Sequence, residues 1–229
     1  LKQTNHSVDR PFRAPHYNAS PSAIIGGGST AMPGEISLAH NGVLFLDEFP
    51  EYSRQTLESL RQPLEDQKVT IARVKQTNTF PANFILIAAM NPCPCGYLGS
   101  EKCTCSQHEI KKYRYRISGP IFDRIDIQKY MSSVDIFKNN LNLTTVSSEE
   151  MLLKITKARE IQAQRFKKTM IRTNSQMEAS HIQEFCTLSQ DSHDLLQKAY
   201  ERFSFSARAY NSMIKVARKI GRASWRETV

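Results

Sequence analysis

The chain has 229 residues, 40% of them hydrophobic and 23% charged, with a formal net charge of +9. That leaves room for one large domain or two small ones, and for a core without disulfide staples. No apolar run nears the roughly 20 residues that span a bilayer, and no signal peptide opens the chain, so the expected location is cytoplasmic. The basic excess favours polyanionic partners. It is uneven, net +3 over residues 1–131 and +6 over residues 132–229.

Residues 1–35 are rich in Pro, Ser and Gly. Arg10-Pro11-Phe12-Arg13-Ala14-Pro15-His16 is expected to be extended, because a residue before proline avoids the helical region. Ile24-Ile25-Gly26-Gly27-Gly28-Ser29 reads as a flexible loop. It lacks the Lys-Ser/Thr that completes a phosphate-binding loop, so its expected role is conformational.

Asn41-Gly42-Val43-Leu44-Phe45-Leu46-Asp47-Glu48 carries the strongest signal. Four apolar residues suit a strand buried on both faces of a parallel sheet. Two carboxylates then emerge at its C-terminal edge, where open α/β sheets bind ligands. That is the Walker B pattern, in which Asp47 holds Mg²⁺ on nucleotide phosphates and Glu48 polarises the attacking water. The alternative is a core strand followed by two solvated acids.

Ser53 can cap a helix carrying Leu57, Leu60 and Leu64 on one face, with Pro63 kinking or ending it. Val69–Val74 is β-prone, Lys75-Gln76-Thr77-Asn78 reads as a turn, and Thr79-Phe80 begins a return strand. Arg73 and Lys75 at this hairpin's tip either touch a phosphate backbone or are solvated. Phe84–Met90 is expected to be a second buried strand ending on Asn91. That side chain either hydrogen-bonds a water or γ-phosphate beside the acids, or belongs to an Asn-Pro turn.

Four of five cysteines fall in Cys93-Pro94-Cys95 and Cys103-Thr104-Cys105. Four thiolates suit a tetrahedral structural Zn²⁺ site, with His108 as a substitute ligand; reduced unliganded thiols or a redox pair are the alternatives. Cys186, alone in a helical stretch, reads as a small core residue. In Ser118-Gly119-Pro120-Ile121-Phe122-Asp123-Arg124-Ile125-Asp126, Arg124 either reaches a phosphoryl group or pairs with the flanking acids. Residues 132–148 read as a polar linker.

From Glu149 the pattern is helical. Leu152, Ile155, Ala158, Ile161 and Phe166 form one expected apolar face. Leu195, Leu196, Ala199 and Phe203 form another, and Met213, Ile214, Val216 and Ala217 a third. Arg208 opens the last helix, where the macrodipole disfavours a cation, so it serves either a phosphate or solvent.

Taken together, these segments resemble the Mg-chelatase-like AAA+ ATPases of the ComM/YifB competence-protein family. The stretches that carry the resemblance are Arg10–His16, Pro33–Glu48, Ala89-Met90-Asn91-Pro92-Cys93-Pro94-Cys95-Gly96, Ser118–Asp126 and Ser206–Ala217. Five motifs in the family's order are far more specific than any one alone. The implied fold is α/β: a partial AAA+ P-loop NTPase core over residues 1–131, with a parallel sheet, helices and a β-hairpin insert. A linker (132–148) and a small helical lid (149–219) follow, then an atypical tail (220–229).

The resemblance implies Walker B for Asp47 and Glu48, sensor 1 for Asn91, an arginine finger acting on a neighbouring subunit for Arg124, and sensor 2 for Arg208. Residues 69–80 match the pre-sensor-1 hairpin and residues 17–35 the helix-2 insert. The implied cofactors are ATP and Mg²⁺, with Zn²⁺ at the cysteines, a set that also belongs to the family's pattern. The implied partners are DNA and further copies in a ring, expected to be a hexamer, with no membrane. Family members are linked to DNA branch migration during natural transformation.

Departures accompany the resemblance. No Gly-x-x-x-x-Gly-Lys-Ser/Thr occurs; in the family it lies upstream of Arg10, so the chain is expected to be a C-terminal fragment with little ATP affinity of its own. Tyr17 replaces a second His. Ile220–Glu227 does not continue the family's lid helix and is expected to be foreign sequence. Two other readings remain open: a magnesium-chelatase-type ATPase subunit, and a non-catalytic fragment that only binds partners.

Overall fold

The structure, a computed structural model, describes residues 9–28, 30–73, 76–131 and 146–220. The chain divides into two units, Leu1–Ile125 and Asp126–Val229. No described helix is long and apolar enough to cross a membrane.

The first unit runs β1 (Phe12–Arg13), α1 (Pro21–Ile25), β2 (Gly26–Gly27), β3 (Met32–Pro33), α2 (Glu35–Leu38), β4 (Val43–Leu46), α3 (Arg54–Ser59), α4 (Arg61–Asp66), β5 (Lys68–Arg73), β6 (Gln76–Pro81), β7 (Ile85–Ala88), α5 (Gln107–Arg114) and α6 (Gly119–Phe122). β1, β4 and β7 form a parallel sheet in that order, as an α/β core requires. β4 takes the centre because it is the most apolar segment. Leu44 and Leu46 are buried in one cluster with Ile24, Ile36, Phe49, Leu57 and Leu60. On the other face Val43 and Phe45 are only half-buried, and Phe45 stacks on Phe12 at 6.2 Å between ring centroids. The strand is therefore buried on one face and partly covered on the other.

Gly42 is forced by the neighbouring chain. A Cβ there would lie 1.9 Å from the Pro11 carbonyl oxygen. Asn41, just before it, has φ 59° and donates its N–H to the Asn83 carbonyl at 2.6 Å. Asn tolerates this left-handed region better than most residues. The Asn-Gly pair thus starts β4 where β1 crosses closely.

β7 overturns the expectation of a second buried strand. Ile85 is 59% exposed and Ile87 46%. β7 is the edge of the sheet, and no described strand pairs with its outer side. Apolar composition makes a strand, but burial needs a neighbour on each side.

The expected helix after the acids is two. Ser53 caps α3, its Oγ accepting from the Thr56 N–H at 3.1 Å. The chain then restarts as α4 at Arg61. Pro63 sits in the first turn of α4, where a missing N–H costs nothing, but its ring would collide with the Ser59 carbonyl of one continuous helix. Leu57 and Leu60 still reach the core, with Leu64 packed at its margin.

The glycine-rich stretch is not a loop. Ile24 and Ile25 close α1, and Gly26–Gly27 pairs antiparallel with Met32–Pro33. Gly26 has φ 107°, and a Cβ there would lie 2.5 Å from the Met32 carbonyl oxygen, so its role is indeed conformational.

The hairpin is present but tighter than expected. β6 starts at Gln76, and the ladder runs from Lys68↔Pro81 to Arg73↔Gln76. Gln76, Thr77 and Asn78 are therefore strand, not turn. Val69 and Ile71 on β5 enter the core, while Thr70 and Thr79 meet across the ladder at 3.1 Å on the outer face. Lys75 lies outside the described residues, as does the Arg73 side chain.

The second unit holds α7 (Ser148–Arg165), α8 (Ala179–Phe185), α9 (Gln190–Phe203) and α10 (Ala207–Ile220). Its core is Phe166, Met177, Ile182, Cys186 and Ile214. Cys186 is buried as expected. The apolar faces expected on α7 and α9 are largely uncovered: Leu152, Ile155, Leu195 and Phe203 are exposed. Periodicity marks a face that can be buried and does not supply its cover. A polar hub missed in the sequence organises the unit instead. The buried Asn174 donates its N–H to Gln162 Oε1 and its Nδ2 to the Lys215 carbonyl, both at 3.0 Å. Most of the expected linker, residues 132–145, lies outside the described residues, as do residues 221–229 of the atypical tail.

Candidate functional site

The acids follow β4 directly. The register pairs Leu46 with Ala88, so Asp47 and Glu48 emerge level with Ala89 and Met90, one residue short of Asn91. Ala89 donates its N–H to the Leu46 carbonyl at 3.0 Å, and Phe49 donates to the Ala89 carbonyl at 2.9 Å. These two bonds lock the C-terminal ends of both strands together. Asp47, Glu48 and Asn91 are all exposed at this edge.

Glu48 has φ 50° and ψ 42°, a left-handed conformation. For a residue other than glycine this costs roughly 1–2 kcal/mol. The surroundings hold it there. Asp47 Oδ1 accepts from the Glu48 N–H at 2.8 Å, the Glu51 N–H donates to the Glu48 carbonyl at 2.7 Å, and Phe49 and Pro50 are buried. Strain of this kind clusters at functional sites, where a side chain must be aimed.

Tyr52 is a site residue that sequence reasoning missed. It is buried, and its hydroxyl donates to the Pro15 carbonyl at 2.5 Å, tying the acid turn to the extended Arg10–His16 segment. Burial, then the Asp47 charge, push its phenol from 10.0 up to about 12. An unfolded chain loses this proton from about pH 10. The folded one keeps it to about pH 12, so stability falls as pH rises between those values. We expect Tyr52→Phe to abolish that part of the alkaline decline in urea unfolding; an unchanged pH profile would refute the assignment.

Arg124 lies at the end of α6, only 14% exposed at its side chain. Its Nη2 pairs with Glu65 Oε2 at 2.5 Å, and its Nη1 donates to the Pro120 carbonyl at 2.6 Å. Both of these partners lie on α4 or its own turn, and neither is one of the flanking acids Asp123 and Asp126. Arg208 is the second residue of α10, half-buried, in the other unit.

The cysteines converge. Cys93 Sγ lies 3.4 Å from Cys95 Sγ and 3.9 Å from Cys103 Sγ, and Cys95 lies 3.7 Å from Cys103. With Cys105, all four sulfurs fall within 4.8 Å of one another. A tetrahedron with Zn–S bonds of about 2.3 Å has S–S edges near 3.8 Å, so the donor set fits the ion. Backbone N–H groups of Tyr97 and Thr104 pull the Cys95 thiol down to about 6. Such contacts orient and stabilise metal thiolates. His108 is not one of the converging ligands; Cys105 fills that corner.

Comparison with known proteins decides the family. The magnesium chelatase subunit ChlI model matches residues 1–138, and its C-terminal model matches residues 145–223. The chain belongs to the magnesium-chelatase-like family. Within it the chain is similar to the competence protein ComM of Haemophilus influenzae, 41% identical over 212 residues, or 92% of this chain and 41% of that protein. YifB proteins of Salmonella typhimurium and Escherichia coli are each 39% identical, over 92% of this chain and 41% of theirs. The chain therefore spans about two-fifths of the length of these curated relatives. Its parallel sheet with helices and a helical C-terminal region agrees with the magnesium-chelatase-like fold.

Proposed function

We propose that this chain serves an ATP-hydrolysing AAA+ ring motor that remodels DNA, as in branch migration or helicase action during transformation or recombination. The observation that carries the proposal is the strained Asp47-Glu48 turn. It is held at the C-terminal edge of a parallel sheet, level with the residues that follow β7 and one short of Asn91. In this reading Asp47 holds Mg²⁺ on the nucleotide phosphates, Glu48 orients and deprotonates the attacking water, and Asn91 hydrogen-bonds the water or γ-phosphate. ATP supplies the phosphoryl group whose transfer drives movement. Arg124 reaches the neighbouring subunit's phosphate after giving up Glu65, and Arg208 senses the same nucleotide from the lid. Arg73 and Lys75 carry DNA phosphates at the hairpin tip. A structural Zn²⁺ in the cysteine set fixes the segment that follows Asn91. The location in this reading is the cytoplasm, and the ring is a hexamer.

The name of the matching family model supports a second reading, a chelatase-type motor that drives metal insertion with the same ATPase. The Cys-rich insertion between Asn91 and Arg124 favours the DNA reading. The test is ATP hydrolysis by the full-length protein with and without single-stranded or branched DNA. Stimulation by DNA supports a DNA motor, indifference to DNA turns the assignment to the chelatase reading, and no hydrolysis refutes both.

A further inference from the structure

One face of α5 is left without a structural task. Ile110 and Tyr113 point into the core and Glu109 closes the N-terminal capping box with Ser106. His108, Lys111, Lys112 and Tyr115 follow at i, i+3, i+4 and i+7, which places them on a single stripe. All four are exposed, and Tyr115 is 80% exposed. At about 1.5 Å per residue the stripe is about 10 Å long.

The stripe lines an open cleft of about 810 Å³ together with Pro50, Glu51, Tyr52, Arg54 and Arg116. Arg54 opens α3, where its cation opposes the helix dipole and is attracted by Glu58 one turn further on. Glu51 is the only acid among the described residues that line the cleft, and Arg116 neutralises it at 2.5 Å. The surplus is then Lys111, Lys112 and Arg54, over a floor of proline and tyrosine. Basic side chains beside exposed aromatic rings are how single strands are held: cations track the backbone and bases stack on the rings. A stripe this long covers about three stacked nucleotides at about 3.4 Å each, more than one phosphate group needs.

We propose that this cleft binds single-stranded nucleic acid, with Lys111, Lys112 and Arg54 on phosphates and Tyr115 stacked on a base. The inference shares its partner, DNA, with the function proposed above and one wall, Pro50–Tyr52, with the acid turn, but the side chains that hold the strand are different ones. The two fail separately, because binding is measured here without ATP.

The experiment is fluorescence anisotropy of a labelled 20-nucleotide oligothymidine with the full chain across a salt series. Lys111→Ala/Lys112→Ala lies on an exposed surface and leaves the core intact. It is expected to flatten the slope of log affinity against log salt by about 1.4, two phosphate contacts at about 0.7 each. Tyr115→Ala is expected to weaken binding at least fivefold with the salt slope unchanged, as loss of one stacked base does. The proposal is overturned by no binding by the parent chain, by unchanged affinity and slope in both variants, or by a loss confined to Lys75→Ala. Equal competition by polyglutamate, with Tyr115→Ala indifferent, would overturn it in favour of an acidic peptide.

Discussion

Glu48→Gln is expected to lower ATP turnover of the full-length assembly by about 10²–10⁴-fold, the range lost when a positioned general base is removed. The substitution keeps size and hydrogen-bonding reach and removes only the ability to accept a proton. The backbone strain at position 48 lies in the turn itself, fixed by the Phe49 and Glu51 N–H bonds, so the variant should fold as the parent does. Nucleotide affinity should be little changed, because the Mg²⁺ ligand in this reading is Asp47. Asp47→Ala should differ in kind. It removes both that ligand and the carboxylate accepting the Glu48 N–H, so affinity and turnover should fall together. Steady-state hydrolysis with a nucleotide-binding measurement separates the two. Turnover within threefold of the parent in Glu48→Gln would remove the catalytic base from this site.

The purified protein is expected to carry one Zn²⁺ per chain, measured by metal analysis after dialysis. Cys95→Ser should weaken that affinity by at least about 100-fold, since loss of even an outer supporting contact costs about 10–100-fold. The structural effect should be large and local. Between Asn91 and the start of α5 at Gln107, the only described regular bonding is a set of short turns, such as Gly96 N–H to the Cys93 carbonyl and Cys103 N–H to the Ser100 carbonyl, both 3.0 Å or slightly longer. A loop of this kind has little apolar area with which to hold itself. With zinc bound, its order is expected to come from the cross-link, and metal binding would then contribute directly to folding. Hydrogen exchange should accelerate across residues 92–106 on chelation while β4 stays protected. A chain free of zinc that keeps this loop protected would show that thiol packing alone suffices.

The particular residues show which parts of the site were legible. Asp47 and Glu48 were found because a short apolar run ending in two acids is a local pattern, and strand, edge and carboxylates all follow from it. The Ser53 cap, the hairpin and the four-cysteine set are local in the same way: each depends on residue types at fixed short spacing. Tyr52 was invisible because its partner Pro15 lies 37 positions away. Arg124 was read beside its sequence neighbours Asp123 and Asp126, while its partner Glu65 sits 59 positions away on another helix. Buried Asn174 and Gln162 were missed because nothing in a polar residue's own sequence announces that it will be enclosed.

The differences in burial have one cause. β7, α7 and α9 were expected to be buried from their apolar residues, and Ile85, Leu152 and Leu195 are exposed. The sequence by itself determined most of the elements, the family, the place of the two acids at the end of β4 and the set of four cysteines, because backbone propensity, motif spacing and residue type act over a few residues. Only the tertiary structure decided which apolar faces are covered and which arginines are paired. It also decided that α5 turns a basic, aromatic face to an open cleft. Burial and ion pairing depend on what distant segments bring alongside, and that information is not carried within any one segment.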